Sequence, residues 1–438
     1  MPRHDRLWVV PAGGEEQARC LTAELDATIG NTTLSDLRAA FTGAAPPLWS
    51  PDSERLYALV SGPGTAQLYE VRALPGGAPA RALTEGEHDL IAFDADAARE
   101  RFVLLRATAT APPELFTAEL RRSEGGGAGG GGDGPVQAGS GAGGPAPQPA
   151  APLELQPLTR VHAGWLAQLE LAAPELLEVA GAGGERVQAW LLLPPGAPAG
   201  RRHPLVLSVH GGPHAQYGWT FFHEMQWLAA RGYAVLYANP RGSTGRGEEF
   251  LRAIRGRWGE LDYQDLMAVL EHAAARPDVD PARMAVIGGS YGGYMAAWII
   301  GQTDRFRCAI VERAVTNLHS MFGTCDFPFS PDGYWPGNPW SEPDALLAQS
   351  PLSHAHRVRT PVLIIHSEGD LRCPIEQAEQ YFVALRRNRV EAVLVRYPPE
   401  SNHGLSRTGP PDLRLDRLER IAAWLARHLG PAAEGAPC

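Results

Sequence analysis

The stretch "VIGGSYGGYM", residues 286–295, sets a serine among glycines directly behind an apolar run, and its reading decides the fold. Gly288-Gly289-Ser290-Tyr291-Gly292 matches G-x-S-x-G, but in a chain with 49 glycines among 438 residues the string alone carries little weight. Its surroundings carry more. "RMAVIGG" (283–289) reads as a continuous apolar strand and "YGGYMAAWIIG" (291–301) as a helix, the strand-turn-helix of a nucleophile elbow. Glycine stands two residues either side of Ser290 because so sharp a turn leaves no room there for side chains. The plainer alternative is a polar residue in a glycine-rich turn.

A serine hydroxyl is a poor nucleophile near neutral pH, so it needs a histidine base and an acid that fixes the tautomer of that base. Asp370 lies just past the apolar strand "PVLIIH" (361–366), and His403 lies past "AVLVRYP" (392–398). The order Ser290, Asp370, His403 is the one an α/β-hydrolase requires. Glu312, at the end of "RCAIVE" (307–312), is the rival acid, and His319, His354, His356 and His366 are weaker candidates for the base. An oxyanion would be met by the backbone N–H of Tyr291 and by one from "HGGP" (210–213), with Gly212 preferred to Gly211.

Outward from the elbow the pattern alternates strands and helices. "ELLEV" and "ERVQAWLLLP" read as an entry hairpin, followed by "PLVLSVH" (204–210), "YAVLYANP" (233–240) and the four strands already quoted. Uninterrupted apolar strands are buried on both faces, so the expectation is an eight-stranded, mostly parallel, doubly wound α/β-hydrolase sheet over 171–432. Upstream, "WSPDSERLYAL" (49–59) and "FDADAARERFVLL" (93–105) each show an aromatic, an aspartate three residues on, and a turn into a second strand. That is the signature of β-propeller blades. Residues 1–170 hold two fuller blades and fragments, whereas a closed ring takes at least four, so the propeller is partial. A Gly/Pro-rich flexible insert (123–152) interrupts the last blade, and 433–438 reads as a disordered tail.

Composition removes several chemistries. All 39 basic residues are arginine, which excludes a Walker lysine, a Schiff base and a Ser/Lys dyad. The net charge of -10 argues against nucleic acid as a partner. Cys20, Cys308, Cys325, Cys373 and Cys438 are scattered and never spaced as metal ligands, so no metal or cofactor is expected. Reduced thiols, the lack of a signal peptide and the lack of a membrane-length apolar stretch together point to a cytoplasmic protein without a membrane partner.

"HGGPHAQYGW", "YANPRGSTGRGEEF", "WGELDYQDLM", "GGSYGGYMAAW", "ERAVTN", "HSEGDLRCP" and "NHGL" together resemble the prolyl oligopeptidase family of serine peptidases, in its acylaminoacyl-peptidase-like branch. The resemblance covers about residues 175–429. It implies a propeller capping an α/β-hydrolase domain, Ser290, Asp370 and His403 as triad, Tyr291 and Gly212 as oxyanion donors, and short or N-acylated peptides as substrates. It also implies that Arg372, two past the acid, lies beside the pocket for the residue before the scissile bond. "SMFGTCDFPF" (320–329) resembles the segment lining that pocket, which makes Phe322 and Phe327 wall candidates or, as readily, core aromatics. Arg246 and Ser367 depart from the family pattern, away from the triad. The larger departure is length, since the family's propeller needs about twice the residues present. An upstream start, a truncated chain or completion by another subunit, as in a homo-oligomer, would account for it. A carboxylesterase with the same triad and a non-catalytic scaffold are the alternative functions.

Overall fold

In the computed structural model the described residues are 3–13, 17–37, 45–74, 80–120, 151–198, 200–327 and 334–430. Most of the insert expected at 123–152 and the C-terminal tail expected at 433–438 lie outside them.

The larger sheet has eight strands: β1 (Glu175–Ala180), β2 (Arg186–Leu192), β3 (His203–Val209), β4 (Ala234–Asn239), β5 (Val279–Gly289), β6 (Cys308–Glu312), β7 (Val362–Ser367) and β8 (Ala392–Tyr397). They lie side by side in the order β1-β2-β4-β3-β5-β6-β7-β8. β2 pairs antiparallel with β1 and β4, and every other neighbouring pair is parallel. This is the expected α/β-hydrolase sheet. Successive residues of β3 enter opposite cores: Leu205, Leu207 and Val209 pack on one face, Val206 on the other. Helices on both faces explain why its central strands are nearly all apolar. Four of these helices are α1 (Leu261–Ala274), α2 (Tyr291–Gln302), α3 (Glu376–Arg387) and α4 (Pro411–Leu429). Because β4 lies on one side of β3 and β5 on the other, the strand order reverses there, and the crevice outside the carboxyl ends of such strands is where ligands bind.

The N-terminal part carries two four-stranded antiparallel blades. One comprises Leu48–Trp49, Arg55–Gly62, Thr65–Arg72 and Arg81–Ala82; the other Asp89–Ala95, Arg101–Thr108, Ala111–Glu119 and Gln156–Pro157. The aspartates of the repeat cap the turn between first and second strands. Asp52 Oδ1 accepts the Glu54 amide at 3.0 Å, and Asp96 Oδ1 accepts the Glu100 amide at 2.9 Å. The blades meet through the parallel pair Ala66↔Asp89, and Tyr57 packs edge-on against Phe102 at 5.1 Å. Trp8–Val9 and Arg19–Cys20 pair antiparallel in a separate two-stranded sheet.

One feature ties this part to the larger sheet. Thr28–Ile29 and Leu48–Trp49 both pair with Arg55–Gly62, but residues 33–37 beyond the first of them reach away from the blade. Thr33 bridges to Gln216, the Ser35 hydroxyl donates to Phe221 O at 2.9 Å, and the Asp36 carboxylate accepts the amides of His223 and Glu224 at 2.9 and 2.8 Å. Asp36 therefore caps the helix His223–Ala230. Among the described residues no helix is long and apolar enough to cross a membrane.

Candidate active site

Ser290 follows β5 directly and opens α2 with φ 63° and ψ −124°. Such a backbone costs a non-glycine residue about 1–3 kcal/mol. Hydrogen bonds hold it there: its N–H donates to Glu312 O at 3.0 Å and its carbonyl accepts from Tyr294 N at 2.9 Å. Backbone crowding makes Gly288 and Gly292 steric necessities, whereas Gly289 faces a side chain. A Cβ at Gly288 would stand 2.3 Å from Gly292 O, one at Gly289 2.6 Å from the guanidinium carbon of Arg313, and one at Gly292 2.1 Å from Val209 O.

The loops after β7 and β8 bring Asp370 and His403 together, with His403 Nδ1 2.7 Å from Asp370 Oδ2. Amides from Arg372 (3.0 Å) and Cys373 (2.9 Å) donate to Asp370 Oδ1, so a fully buried carboxylate is held on both oxygens. An ionised carboxylate only accepts, so Nδ1 carries the proton and Nε2 is left as the basic nitrogen. Burial lowers the His403 pKa, and the bond to Asp370 works against that. Ser290 and His403 line the same cavity. The rival acid is committed elsewhere: Arg417 binds Glu312 through Nε and, at 2.6 Å, through a terminal nitrogen. His354 and His356 bond to Ala348 O and Ser353 O, while His366 sits beneath Asp370 with Nε2 on Cys373 O at 2.7 Å.

Tyr291 is the first residue of α2, so its N–H belongs to the group without an intrahelical acceptor. Its phenol donates to the buried Asp262 of α1, and its ring packs on Trp258, fixing the turn behind the amide. Burial lifts the Asp262 pKa to about 6. In the facing loop Gly212 has φ 128°, and a Cβ there would meet His214 N at 2.7 Å. His210 anchors the loop through Ser243 Oγ at 2.9 Å, and burial lowers its pKa to about 4, leaving it uncharged. Gly212 and Tyr291 line the cavity that holds Ser290 and His403. Gly211 lies nearer the elbow itself: a Cβ on it would touch Ser290 Cβ at 3.4 Å.

Beside Ser290 opens a pocket of about 400 Å³ walled by Trp258, Val315, Met321, Phe327, Tyr334 and Trp335. Of the two phenylalanines read as wall or, as readily, core aromatics, Phe327 lines it. Phe322 does not. It packs behind the wall, 5.8 Å from the ring of Trp335 and 5.7 Å from Trp340, because the helix Leu318–Thr324 turns it away from the opening. Arg372 sits at the rim, its Nε 2.6 Å from Asp326 and its guanidinium 5.0 Å above the Phe327 ring. Trp258, Tyr334 and Trp335 escaped the sequence reading, although "RWGEL" and "GYWPGNPW" are conspicuously aromatic. Among the described residues no group of three or more His, Cys, Asp or Glu side chains is placed to hold a metal ion.

A serine elbow after β5, with a carboxylate and an imidazole joined after β7 and β8, is the plan of an α/β-hydrolase. Residues 219–432 match the prolyl oligopeptidase family model, and the chain belongs to that family. It is 36% identical to the uncharacterized peptidase YuxL of Bacillus subtilis, over 94% of this chain and 58% of that protein. It is 32% identical to the human acylamino-acid-releasing enzyme over 63% of this chain and 38% of that protein. Among solved structures it resembles Pyrococcus horikoshii acylaminoacyl peptidase, with a TM-score of 0.79 and 26% identity, over 99% of this chain and 60% of that one. The chain thus spans about three fifths of the length of two of these relatives.

Proposed function

We propose that the protein is a serine peptidase that cleaves short or N-acylated peptides by acylation and deacylation. The observation that carries this reading is the 2.7 Å bond from buried Asp370 to His403 behind a strained Ser290. Ser290 Oγ attacks the carbonyl while His403 Nε2 takes its proton. The amides of Tyr291 and Gly212 receive the oxyanion, where each donor is worth about 3–4 kcal/mol of barrier. His403 then protonates the departing amine, and water repeats the sequence on the acyl-enzyme. The aromatic pocket receives the side chain before the scissile bond, with Arg372 at its rim. We further propose a division near residue 170, with 171–432 catalytic and the blades covering its opening. Names of the relatives above, acylaminoacyl peptidases among them, support the acylated-peptide class.

The test is covalent labelling by a fluorophosphonate probe. Labelling is expected in the wild type and lost in Ser290→Ala; labelling that survives the substitution refutes the assignment. Turnover of an acyl-amino-acid anilide against a short-chain nitrophenyl ester separates a peptidase from an esterase.

A further inference from the structure

A second, smaller cavity meets the first at Ser290. It encloses about 140 Å³ and shares Gly212, Ser290, His403 and Arg407 with the aromatic pocket. Of its apolar lining, Tyr217, Met225, Leu228 and Ile287 belong to the core on the other face of the sheet from Trp258 and Trp335, and Val209 to the same face as they. The two cavities therefore lie on either side of the candidate nucleophile, and they differ in chemistry: the second is lined by Arg313, Arg407, Arg417, Asp36, Glu224 and Glu312.

Those six charges do not cancel in pairs. Arg417 takes both glutamates, Glu312 as described and Glu224 at 2.8 Å. Asp36 spends its two oxygens on backbone amides. Arg313 comes no closer than 4.0 Å to Glu312, and its Nε is buried without a partner. Its backbone is also strained, with φ 36°, in the turn that lays the guanidinium against Gly289. Arg407 makes no side-chain hydrogen bond or ion pair among the described residues, and it stands four residues beyond His403 on the short helix Leu405–Thr408. Burial, aided by the charge of Arg313, lowers the Arg407 pKa to about 10. An anion between these two arginines would relieve both.

We propose that Arg313 and Arg407 form a carboxylate-binding subsite for the leaving group. The preferred substrates would then carry a free α-carboxylate on the residue just after the scissile bond, with N-acyl dipeptides as the smallest members. This rests on the peptidase reading above. The leaving amine must lie on the side of His403, which protonates it, and the acyl side chain fills the aromatic pocket, so the charged cavity falls to the leaving residue. In one amino acid the α-nitrogen and the carboxylate flank a single carbon, so an anchor for the carboxylate has to stand close to the base, as Arg407 does. A guanidinium grips a carboxylate through paired charge-assisted bonds, whereas an amide in its place leaves the cations unmatched. The cavity has room for one residue's head group and not for a continuing chain.

The test compares kcat/KM for benzyloxycarbonyl-Phe-Leu with that for its C-terminal amide, on enzyme whose active sites are counted with the fluorophosphonate probe. Wild type is expected to favour the free acid at least tenfold. Arg407→Gln and Arg313→Gln should each bring the ratio toward one, and Arg407→Lys should retain part of it. A labelled wild-type enzyme with a ratio of one or less overturns the subsite and leaves the peptidase reading standing; absence of labelling overturns both. Should the glutamine variants fail to fold, inhibition of wild-type anilide hydrolysis by leucine against leucinamide decides. Leucine inhibiting no better than its amide is the refuting result.

Discussion

Asp370→Asn tests the proposed relay with almost no change of shape. The asparagine oxygen can still accept the amides of Arg372 and Cys373, which now reach Asp370 Oδ1 at 3.0 and 2.9 Å. Its NH2 group then faces His403 Nδ1, where the carboxylate accepted at 2.7 Å. To keep that contact Nδ1 must accept, which moves the ring proton to Nε2 and removes the basic site from the nitrogen that should serve Ser290. Only molecules that break the new bond and reverse the tautomer can react, and the imidazolium formed in the transition state loses its counter-charge. A fall in kcat of about 10⁴ is expected, or roughly 5 kcal/mol of barrier. Stability should change by about 1–2 kcal/mol at most, because the other hydrogen bonds of the loop persist. The assay is anilide hydrolysis at saturating substrate beside a thermal melt. An intact melt with less than a tenfold loss of kcat would show that Asp370 is not the orienting acid.

Glu312→Gln should cost stability rather than mechanism. Removing one partner of the buried Arg417 cluster destabilises by about 3–5 kcal/mol, seen as a lowered melting temperature, while folded enzyme keeps its labelling rate; a selective 10⁴-fold loss of activity would restore Glu312 as the acid. Gly292→Ala puts a methyl 2.1 Å from Val209 O, so the elbow must part from β3 and probe labelling should vanish; a fully labelled variant contradicts the geometry. Arg372→Gln breaks a half-exposed ion pair worth under about 1 kcal/mol in stability, yet should raise KM several-fold if the rim touches substrate. As pH falls, His403 protonates and can no longer accept from Ser290. Burial places its pKa below the usual 6.5, so the acid limb of kcat/KM should have its midpoint below that value, and a midpoint above 7 would contradict the environment described.

The grouping of Ser290, Asp370 and His403 was legible because each follows an apolar strand, directly or within its loop, and such apolar runs survive in sequence. The aspartates of the blade repeat were legible for a similar reason: Asp52 and Asp96 act on turns a few residues away. The pocket wall was not, since Trp258 and Tyr334 approach one another only through the fold, meeting at 6.2 Å between ring centroids. Nor does spacing say which of Phe322 and Phe327 faces the opening, because a short helix ends between them. Arg407 looks in sequence like any basic residue near a surface helix. Its isolation emerges only when Arg417, ten residues on, is seen to have taken both nearby glutamates.

Asp36 gives the architecture a practical corollary. The carboxylate that starts the helix His223–Ala230 is written 187 residues upstream of the amide it caps, on an excursion from a blade strand. A boundary drawn where the strand pattern changes would strip that helix of its cap and leave Glu224, a ligand of Arg417, on a fraying end. Trimming the blades away to obtain a minimal enzyme would therefore disturb the electrostatics beneath Ser290 before it altered access from above.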